Sequence, residues 1–239
     1  MLSIFDFRDN TNNILTAVEM AGQVSGDLGG TMTTHYNVFG GTIFGLHTER
    51  HLPFMKGIDT LEKIGCFGFT EVGYGNNPMH METTATYDPD TKEFVINSPT
   101  TLSQKFWVGL GYRFAQYCVV FAQTYVKGKN EGVNGFIVPI RDEKLNRSKG
   151  VIADDIGRKL SGNGNDCARL RFDHVRIPRT SMLNAINDVD EDGNFKSPYK
   201  NATLRFFAAT GRLLSGRLFI CAIMVSIAKK AIYQTIRYS

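Results

Sequence analysis

Two short stretches of this chain carry residues suited to binding a flat molecule with polar edges. Thr70 follows an aromatic strand-like segment and precedes Gly73 and Gly75, while Trp107, the only tryptophan, stands two residues before Gly109. Glycine allows the backbone to approach a ligand closely, a hydroxyl can bond the polar edge of a ring, and an indole can pack on its face. These residues suit a ring system such as a flavin. An ordinary core tryptophan with two loop glycines is the alternative interpretation.

Patterns that resemble metal sites fail at a required position. His47 and His51 are four residues apart, but a zinc protease needs glutamate directly after the first histidine, and a zinc deaminase needs a later P-C-x-x-C. The acidic stretch from Asp188 begins like a calcium loop, yet Tyr199 stands where a bidentate glutamate is required. We therefore predict no metal ion and an ordinary acidic turn.

Composition argues against several classes of protein. The 239 residues are 42% hydrophobic and 21% charged, which is ordinary for a globular domain, and the net charge of +4 is too small and dispersed to predict nucleic-acid binding. Four widely spaced cysteines match neither a metal site nor a disulfide framework. The first residues lack a signal-peptide pattern, and the apolar run at 218–227 is shorter than the roughly 20 residues of a transmembrane helix. We expect no transmembrane segment.

Helical periodicity dominates both ends of the chain. Apolar residues recur at helical spacing near 14–22, and a second helix is predicted from Thr33 to Leu46. The pair Gly40 and Gly41 inside that helix indicates close packing against another element. A polar linker at 185–201 leads into a strongly apolar helix predicted from about Thr203 to Tyr238.

Between these ends the period of the pattern changes to two, which is typical of strands. The sequence Asp88-Pro89-Asp90-Thr91 predicts a hairpin, because proline presets φ and aspartate bonds its own backbone. A polar turn is predicted at 127–132. Short strands separated by turns favour an antiparallel barrel or sandwich. The predicted strands are 83–87, 93–97, 105–108, 117–123, 135–140 and 170–177.

Several segments, taken in their order and spacing, resemble the middle-domain signature of acyl-CoA oxidases, the oxidase branch of the acyl-CoA dehydrogenase superfamily. The resemblance covers about residues 27–239. The segments that carry it are 69–75 (FTEVGYG), 82–89 (ETTATYDP), 93–100 (EFVINSPT), 135–141 (GFIVPIR), 155–159 (DIGRK) and 171–179 (RFDHVRIPR).

The resemblance implies an α+β fold in three parts. A partial N-terminal helical domain is expected at 1–64 and an antiparallel β-barrel-like domain that binds FAD and acyl-CoA at 65–184. A linker and the first helix of a C-terminal helical bundle are expected at 185–239. By the same resemblance, FAD lies between the middle domain and the bundle, and the full-length protein is a homodimer.

The site residues implied by the resemblance fall in both glycine-containing stretches. Thr70 would hydrogen-bond the flavin ring, Gly109 would let the backbone approach it, and Trp107 would pack nearby. The loop residues expected beside the acyl-CoA thioester and pantetheine are Gly73, Gly75, Asn76 and Asn77. Arg217 is a candidate for a phosphate contact, and an ordinary helix arginine is the alternative.

The implied reaction converts a fatty acyl-CoA to a trans-2-enoyl-CoA. A carboxylate base removes the α-proton, the β-hydride passes to the flavin, and molecular oxygen reoxidises the flavin to give hydrogen peroxide. The family's glutamate base corresponds to a position beyond Ser239, so no catalytic residue is expected in this chain, which is expected to be truncated at both ends and inactive alone. A peroxisomal location is implied, with a mitochondrial one as the alternative.

Three departures from the family pattern lie near the expected ligands. Asn76 stands where serine or threonine is usual, residues 78–81 replace a pair normally ended by glycine, and Leu110 stands where glycine is frequent. Weaker binding or turnover is expected. Two other functions therefore stay open. One is a non-catalytic structural or ligand-binding homologue, and the other is an acyl-CoA dehydrogenase that passes electrons to an electron-transfer flavoprotein.

Overall fold

A layer of helices, two β-sheets and a long final helix follow one another along the chain. The computed structural model describes residues 2–239, so Met1, where the predicted N-terminal domain begins, lies outside the described residues. In chain order the helices are α1 (Asp6–Asp9), α2 (Thr11–Val24), α3 (Gly26–Met32), a π-helix (Thr33–Gly40), α4 (Gly41–Leu46), α5 (Leu52–Asp59), α6 (Ala202–Thr210) and α7 (Arg212–Tyr238).

The strands lie between α5 and α6. They are β1 (Gly65–Gly68), β2 (Thr84–Asp88), β3 (Glu93–Asn97), β4 (Lys105–Gly109), β5 (Tyr117–Val126), β6 (Lys129–Pro139), β7 (Val151–Asp155), β8 (Cys167–Phe172), β9 (Val175–Pro178), β10 (Asp188–Val189) and β11 (Phe195–Lys196).

The main sheet is mixed, and β5 is its central strand. One edge of β5 pairs in parallel first with β1 and then with β2, and the other edge pairs antiparallel with β6. β2, β3 and β9 continue the sheet in antiparallel pairs. The prediction of a mixed α+β chain is confirmed, but the prediction of an antiparallel sheet is wrong at β1 and β2. Two parallel strands must be joined by a long crossover connection. Because the strands are therefore far apart in sequence, no local turn signal indicates that they pair.

A smaller antiparallel sheet, ordered β4-β8-β7, packs against the main one. The two share a core of buried aliphatic and aromatic side chains, including Phe94, Phe136 and Phe172. The hairpin predicted at Asp88–Thr91 is confirmed as the β2–β3 turn. The predicted strand at 170–177 is instead the end of β8 and most of β9, separated by a turn in which His174 has a positive φ of 50°.

Two regions in which no strand was predicted contain strands. β7 follows a turn and was not predicted, and the predicted linker at 185–201 holds the short β10–β11 hairpin. The two-residue strands of that hairpin are too short to show a period in the sequence. The predicted polar turn at 127–132 is shorter than expected because β6 already begins at Lys129.

The predicted helix from Thr33 to Leu46 is a π-helix followed by α4. Its paired glycines are packed closely, as the sequence indicated: a Cβ atom on Gly40 would lie 2.7 Å from Ile4, and one on Gly41 would lie 2.6 Å from the Arg212 Nε. π-helical turns are rare and occur frequently at functional sites. Here the π-helix faces β1 on one side and α7 on the other.

The final helix α7 packs on α2 and leaves much of its apolar surface exposed. Ile14 and Val18 of α2 meet Phe219 and Ile223 of α7 in a small buried cluster. By length and composition alone, the stretch Ala202–Tyr238 is long and apolar enough to cross a membrane. Core helices of soluble proteins meet the same criterion, so this finding does not change the expectation from the sequence.

Candidate functional site

Strand β1 joins the helical layer to the main sheet at Gly65. The Gly65 N–H donates to Nδ1 of His35 on the π-helix at 3.2 Å, and the other ring nitrogen of His35 lies 3.0 Å from the Ile58 carbonyl oxygen. This pair of bonds requires a neutral ring that accepts at Nδ1 and donates at Nε2. Burial lowers the pKa of His35, which favours that neutral form. The histidine therefore ties β1 to α5 through the π-helix.

Thr70, the first predicted site residue, follows β1 and is fixed through its backbone. Its carbonyl oxygen accepts from the Phe106 N–H of β4 at 2.9 Å, and the Lys105 Nζ lies 3.3 Å from the neighbouring Phe69 carbonyl oxygen. The side chain of Thr70 is half-buried. The Thr70 backbone thus lies at the junction of the two sheets, between β1 and β4.

A fully buried ion pair lies directly behind Thr70. The Lys105 Nζ is 2.9 Å from Oε1 of Glu71, and both side chains have 0% exposure. The Glu71 carboxylate also accepts from the N–H groups of Glu82 and Thr83 and from the Thr83 hydroxyl. Burial lowers the pKa of Lys105, and the neighbouring carboxylate opposes that shift. A buried charge is tolerated when it is paired and hydrogen-bonded in this way.

Thr70 lines a cavity of about 320 Å³ between the π-helix and α7, which we call the Thr70 cleft. Three polar atoms buried at this cleft lack a hydrogen-bond partner among the described residues: the Thr33 hydroxyl oxygen, the Asn37 Nδ2 and the Arg212 Nε. The cleft is lined by Thr33, Asn37, Val38, Phe69, Thr70, Arg212, Leu213, Gly216, Arg217 and Ile220.

Trp107 and Gly109 line a second cavity, of about 690 Å³, which we call the Trp107 cleft. Trp107 has a positive φ of 61° beside a break in the β4–β8 register, and 59% of its surface is exposed. This backbone is uncommon for a bulky residue, and here it accompanies the irregularity in the β4–β8 pairing. A Cβ atom on Gly109 would lie 3.2 Å from the Thr34 hydroxyl oxygen, so glycine permits a close approach of the π-helix and β4.

The predicted cofactor residues therefore line two clefts instead of one. Thr33 lines the first cleft and Thr34 lines the second, so consecutive residues of the π-helix face both. The hydrogen bond from the Phe106 N–H to the Thr70 carbonyl oxygen also connects Thr70 to β4, the strand that contains Trp107 and Gly109. A ligand in contact with Thr70, Trp107 and Gly109 would have to lie across this boundary.

The predicted substrate loop, Gly73 to Asn77, is exposed at the edge of the structure. It is held by the Gly73 N–H, which donates to the Leu102 carbonyl at 3.0 Å, and by the Tyr74 hydroxyl, which donates to Glu82. The Thr100 hydroxyl donates to the same carboxylate. These bonds, first that of Thr100 and then that of Tyr74, lower the pKa of Glu82.

Glu82 lies between this loop and a third cavity, of about 720 Å³, which we call the Glu82 cavity. The four predicted loop glycines and asparagines do not line it. Its lining includes Thr100, Gln123 and Phe206, whose roles were not predicted because they lie far apart in the sequence. The Phe206 ring lies 6.3 Å from that of Phe69, which lines the Thr70 cleft, so the two cavities meet at this aromatic pair.

The residues of the two incomplete metal-binding motifs have other roles in the structure. No group of three or more metal-ligating side chains occurs among residues 2–239. His51 accepts from the Thr48 N–H and lies against the Met182 carbonyl, as a buried capping residue. The predicted acidic turn is the β10–β11 connection, where the Asn194 backbone N–H holds the pKa of Asp190 down to about 2.

Residues 66–175 match the family model described as acyl-CoA dehydrogenase, middle domain. The chain is 38% identical over its whole length to human peroxisomal acyl-coenzyme A oxidase 3, of which it covers 34%. A solved acyl-CoA oxidase 3 from Yarrowia lipolytica superposes with a TM-score of 0.81 at 32% identity, over 93% of this chain and 32% of that one.

A structure of Caenorhabditis elegans acyl-CoA oxidase-2, described as bound with FAD, ascaroside-CoA and ATP, is 33% identical with a TM-score of 0.70. That match covers 74% of this chain and 27% of the other. This chain spans about a third of the length of the curated relatives it matches.

Proposed function

We propose, from the premise that this chain belongs to the acyl-CoA oxidases of the acyl-CoA dehydrogenase superfamily, that it forms the flavin-facing and thioester-facing half of an acyl-CoA oxidase site. The observation that supports the proposal is that the π-helix lines both clefts at Thr33 and Thr34, with Thr70 lining one cleft and Trp107 and Gly109 lining the other. The substrate is a fatty acyl-CoA and the electron acceptor is molecular oxygen. Its named relatives support a peroxisomal location.

The residues at this boundary fit FAD. The unpaired Thr33 hydroxyl and the unpaired Asn165 Oδ1, one in each cleft, offer hydrogen bonds to a ligand with polar edges. Gly109 leaves the space that a side chain would fill, and the exposed indole of Trp107 offers an aromatic face. We assign Thr70, Trp107 and Gly109 to hold the flavin, which when bound accepts the electrons of α,β-dehydrogenation.

The thioester side is assigned to the Gly73–Asn77 loop and the Glu82 cavity beside it. Tyr74 links the loop to Glu82, and the cavity continues to the Phe69–Phe206 pair at the edge of the Thr70 cleft. The pantetheine arm of CoA is long and bears amides that need hydrogen-bond partners. Gln123 and Thr84 in the cavity wall can supply them, which orients the thioester toward Thr70.

The described residues of the Thr70 cleft include no carboxylate that can remove the α-proton. Glu71 is occupied by Lys105 and Thr83, and Glu82 is held by Thr100 and Tyr74. The lowered pKa of Glu82 makes its carboxylate a weaker proton acceptor. We therefore propose that these residues bind and orient the reactants, that the chain is inactive alone, and that the full-length protein is a homodimer.

Replacing Thr70 with alanine is expected to weaken FAD binding about 3- to 10-fold, because one hydrogen bond contributes about 0.5–1.5 kcal/mol. FAD titration of the 239-residue chain can be followed through quenching of Trp107, the single tryptophan at the Trp107 cleft. Thr86→Ala is the matched control, because Thr86 is an exposed threonine on β2. Equal FAD affinity in both variants would argue against the role of Thr70.

Oxygen consumption separates the oxidase from its alternatives in the full-length protein. An oxidase forms hydrogen peroxide from acyl-CoA with oxygen as the sole acceptor. A dehydrogenase needs an added flavoprotein acceptor, and a non-catalytic homologue binds acyl-CoA without forming an enoyl-CoA.

A further inference from the structure

The turn between β4 and β5, residues 110–116, begins directly after Gly109, which we assigned to the flavin. Leu110, its first residue, has a positive φ of 64°, a backbone that is uncommon for a residue other than glycine. Such a conformation persists only when surrounding contacts fix it. The residues that fix this turn therefore also constrain the backbone at Gly109.

Asp166, which directly precedes β8, accepts three N–H groups of the turn. Its Oδ2 accepts from the N–H groups of Tyr112 and Arg113, both at 2.8 Å. Its backbone carbonyl oxygen accepts from the Leu110 N–H at 2.9 Å. Hydrogen bonds to an ionised carboxylate are about twice as strong as those between neutral groups. Asp166 thus fixes the first half of the turn.

Arg141, which follows β6, holds carbonyl groups of the same turn. Its Nη1 donates to the Ala115 carbonyl oxygen at 2.8 Å, and its Nη2 donates to that of Tyr112. The residue is only 5% exposed. Burial lowers the pKa of Arg141, and the nearby Asp166 carboxylate opposes that shift. One turn is therefore held by a carboxylate on its N–H groups and by a guanidinium on its carbonyl groups, and Tyr112 bonds to both.

The shape of the Trp107 cleft depends on the position of this turn. A Cβ atom on Gly109 would lie 3.2 Å from the Thr34 hydroxyl oxygen of the π-helix and 3.8 Å from the Asn165 Nδ2. Asn165 directly precedes Asp166 and lines the same cleft. A displacement of the turn would therefore change the positions of Gly109 and Asn165 together. A shift of about 1 Å is enough to weaken positioned contacts strongly.

A turn that only connects two strands does not require two charged side chains. The 110–116 turn is partly exposed, and water can satisfy the backbone groups of such a turn. Removing a guanidinium from water is costly, which makes Arg141 an expensive way to satisfy two carbonyl groups. The arrangement instead favours a turn with a single backbone geometry.

We infer that Asp166 and Arg141 are positioning residues of the flavin site, which hold Gly109 and Asn165 at the distance from the π-helix that the flavin requires. The inference rests on the proposed function, because that function assigns Gly109 to the flavin. Neither side chain needs to touch the flavin, since both act through the backbone of one turn.

FAD titration of the 239-residue chain, followed through quenching of Trp107, tests this with Asp166→Ala and Arg141→Met. Each variant is expected to raise the dissociation constant of FAD about 10- to 100-fold, the effect of losing an aligned contact. The visible circular dichroism of bound FAD, which reports the surroundings of the ring, should also change. Asp166→Asn keeps the acceptor oxygen without its charge, and Arg141→Lys keeps a charged donor, so both should recover part of the affinity.

The matched controls are Asp190→Ala and Arg179→Met, which remove side chains that bond to backbone groups elsewhere. The Asp190 carboxylate accepts from the Asn194 N–H at 2.7 Å, and the Arg179 Nη1 donates to the Val189 carbonyl oxygen at 2.9 Å. Neither residue lines the Trp107 cleft or the Thr70 cleft. Both controls should therefore bind FAD as the wild type does.

A measurement on the wild-type chain needs no folded variant. Opening of the turn would displace Gly109, so FAD binding should oppose it and slow hydrogen exchange at the Tyr112 and Arg113 amides. Unchanged exchange on FAD binding would overturn the inference.

The results separate the inference from the proposed function. Wild-type FAD affinity and circular dichroism in folded Asp166→Ala and Arg141→Met would overturn the inference alone, because the two residues would then only stabilise the turn. An equal loss of affinity in the controls would overturn it as well. A wild-type chain that does not bind FAD would overturn the proposed function and the inference with it.

Discussion

Replacing Lys105 with methionine is expected to lower the free energy of unfolding by about 3–5 kcal/mol, the usual cost of removing one partner from a buried ion pair. Methionine keeps the length and apolar stem of lysine, so the change leaves no large cavity. It does leave the Glu71 carboxylate buried with only the Thr83 side chain and two backbone N–H groups as partners. Urea unfolding of the 239-residue chain measures the loss.

The matched control is Arg169→Met, which removes the cation from the exposed Arg169–Asp154 pair. Those side chains are 45% and 48% exposed, and such surface pairs contribute about 0–1 kcal/mol. The double variant Lys105→Met/Glu71→Met should recover much of the stability, because replacing both charges by apolar groups is often close to neutral. If Lys105→Met costs no more than the control, the buried ion pair does not stabilise the fold.

The same variant should loosen the backbone at Thr70. Lys105 also contacts the Phe69 carbonyl oxygen, and Glu71 forms a bridge with Lys105 on the strand side. Thr70 is thus flanked by two residues that the ion pair holds in place. Under the proposed function, FAD affinity should fall in Lys105→Met even under conditions where the chain remains folded.

Local sequence signals predicted those structural elements whose conformation depends on neighbouring residues. The Asp88–Thr91 turn was identifiable because proline and aspartate fix that backbone themselves, and the strand predicted at 117–123 lies within β5. The close packing at Gly40 and Gly41 also followed from their cost inside a helix. In each case the physical cause lies within a few residues of its effect.

The errors and omissions concern contacts between distant residues. Parallel pairing of β1 with β5 joins segments about fifty residues apart, and nothing near Cys66 specifies its partner Cys118. The buried environment of Lys105 likewise depends on Glu71, which the sequence places 34 positions away. A lysine at the start of a strand otherwise predicts an exposed side chain.

The same distinction between local signals and distant contacts applies to the candidate site. Thr70, Trp107 and Gly109 were identified from their types and from the resemblance, but their placement in two adjoining clefts depends on the π-helix between them. Arg217 was considered for an anion contact, whereas Arg212, which lines the same cleft, was not. Only its contacts with Phe7 and Asn37, both distant in sequence, distinguish it.

The second large effect is expected at Gly65, where alanine should cost about 3 kcal/mol, the upper part of the range for overpacking. A Cβ atom there would lie 2.1–2.3 Å from three atoms of the Phe39 ring, far inside any contact distance. Phe39 has 0% exposure, with its ring 6.4 Å from that of Phe54 and 5.9 Å from that of His35, so it has little room to move. The clash must therefore separate the π-helix from β1 or shift β1 along β5.

Gly75→Ala is the matched control, because it makes the same change ten residues later at an exposed position with no atom within 4 Å. It should alter the free energy of unfolding by less than about 0.5 kcal/mol. Replacing Phe39 with the smaller leucine in the Gly65→Ala background should restore part of the lost stability. The effects of substitutions at two residues in contact are not additive. Equal unfolding midpoints for the two alanine variants, or strict additivity in the double variant, would show that the contact between β1 and the π-helix tolerates a side chain at Gly65. The His35 bonds to Gly65 and Ile58 would then carry the attachment of β1 to the helical layer.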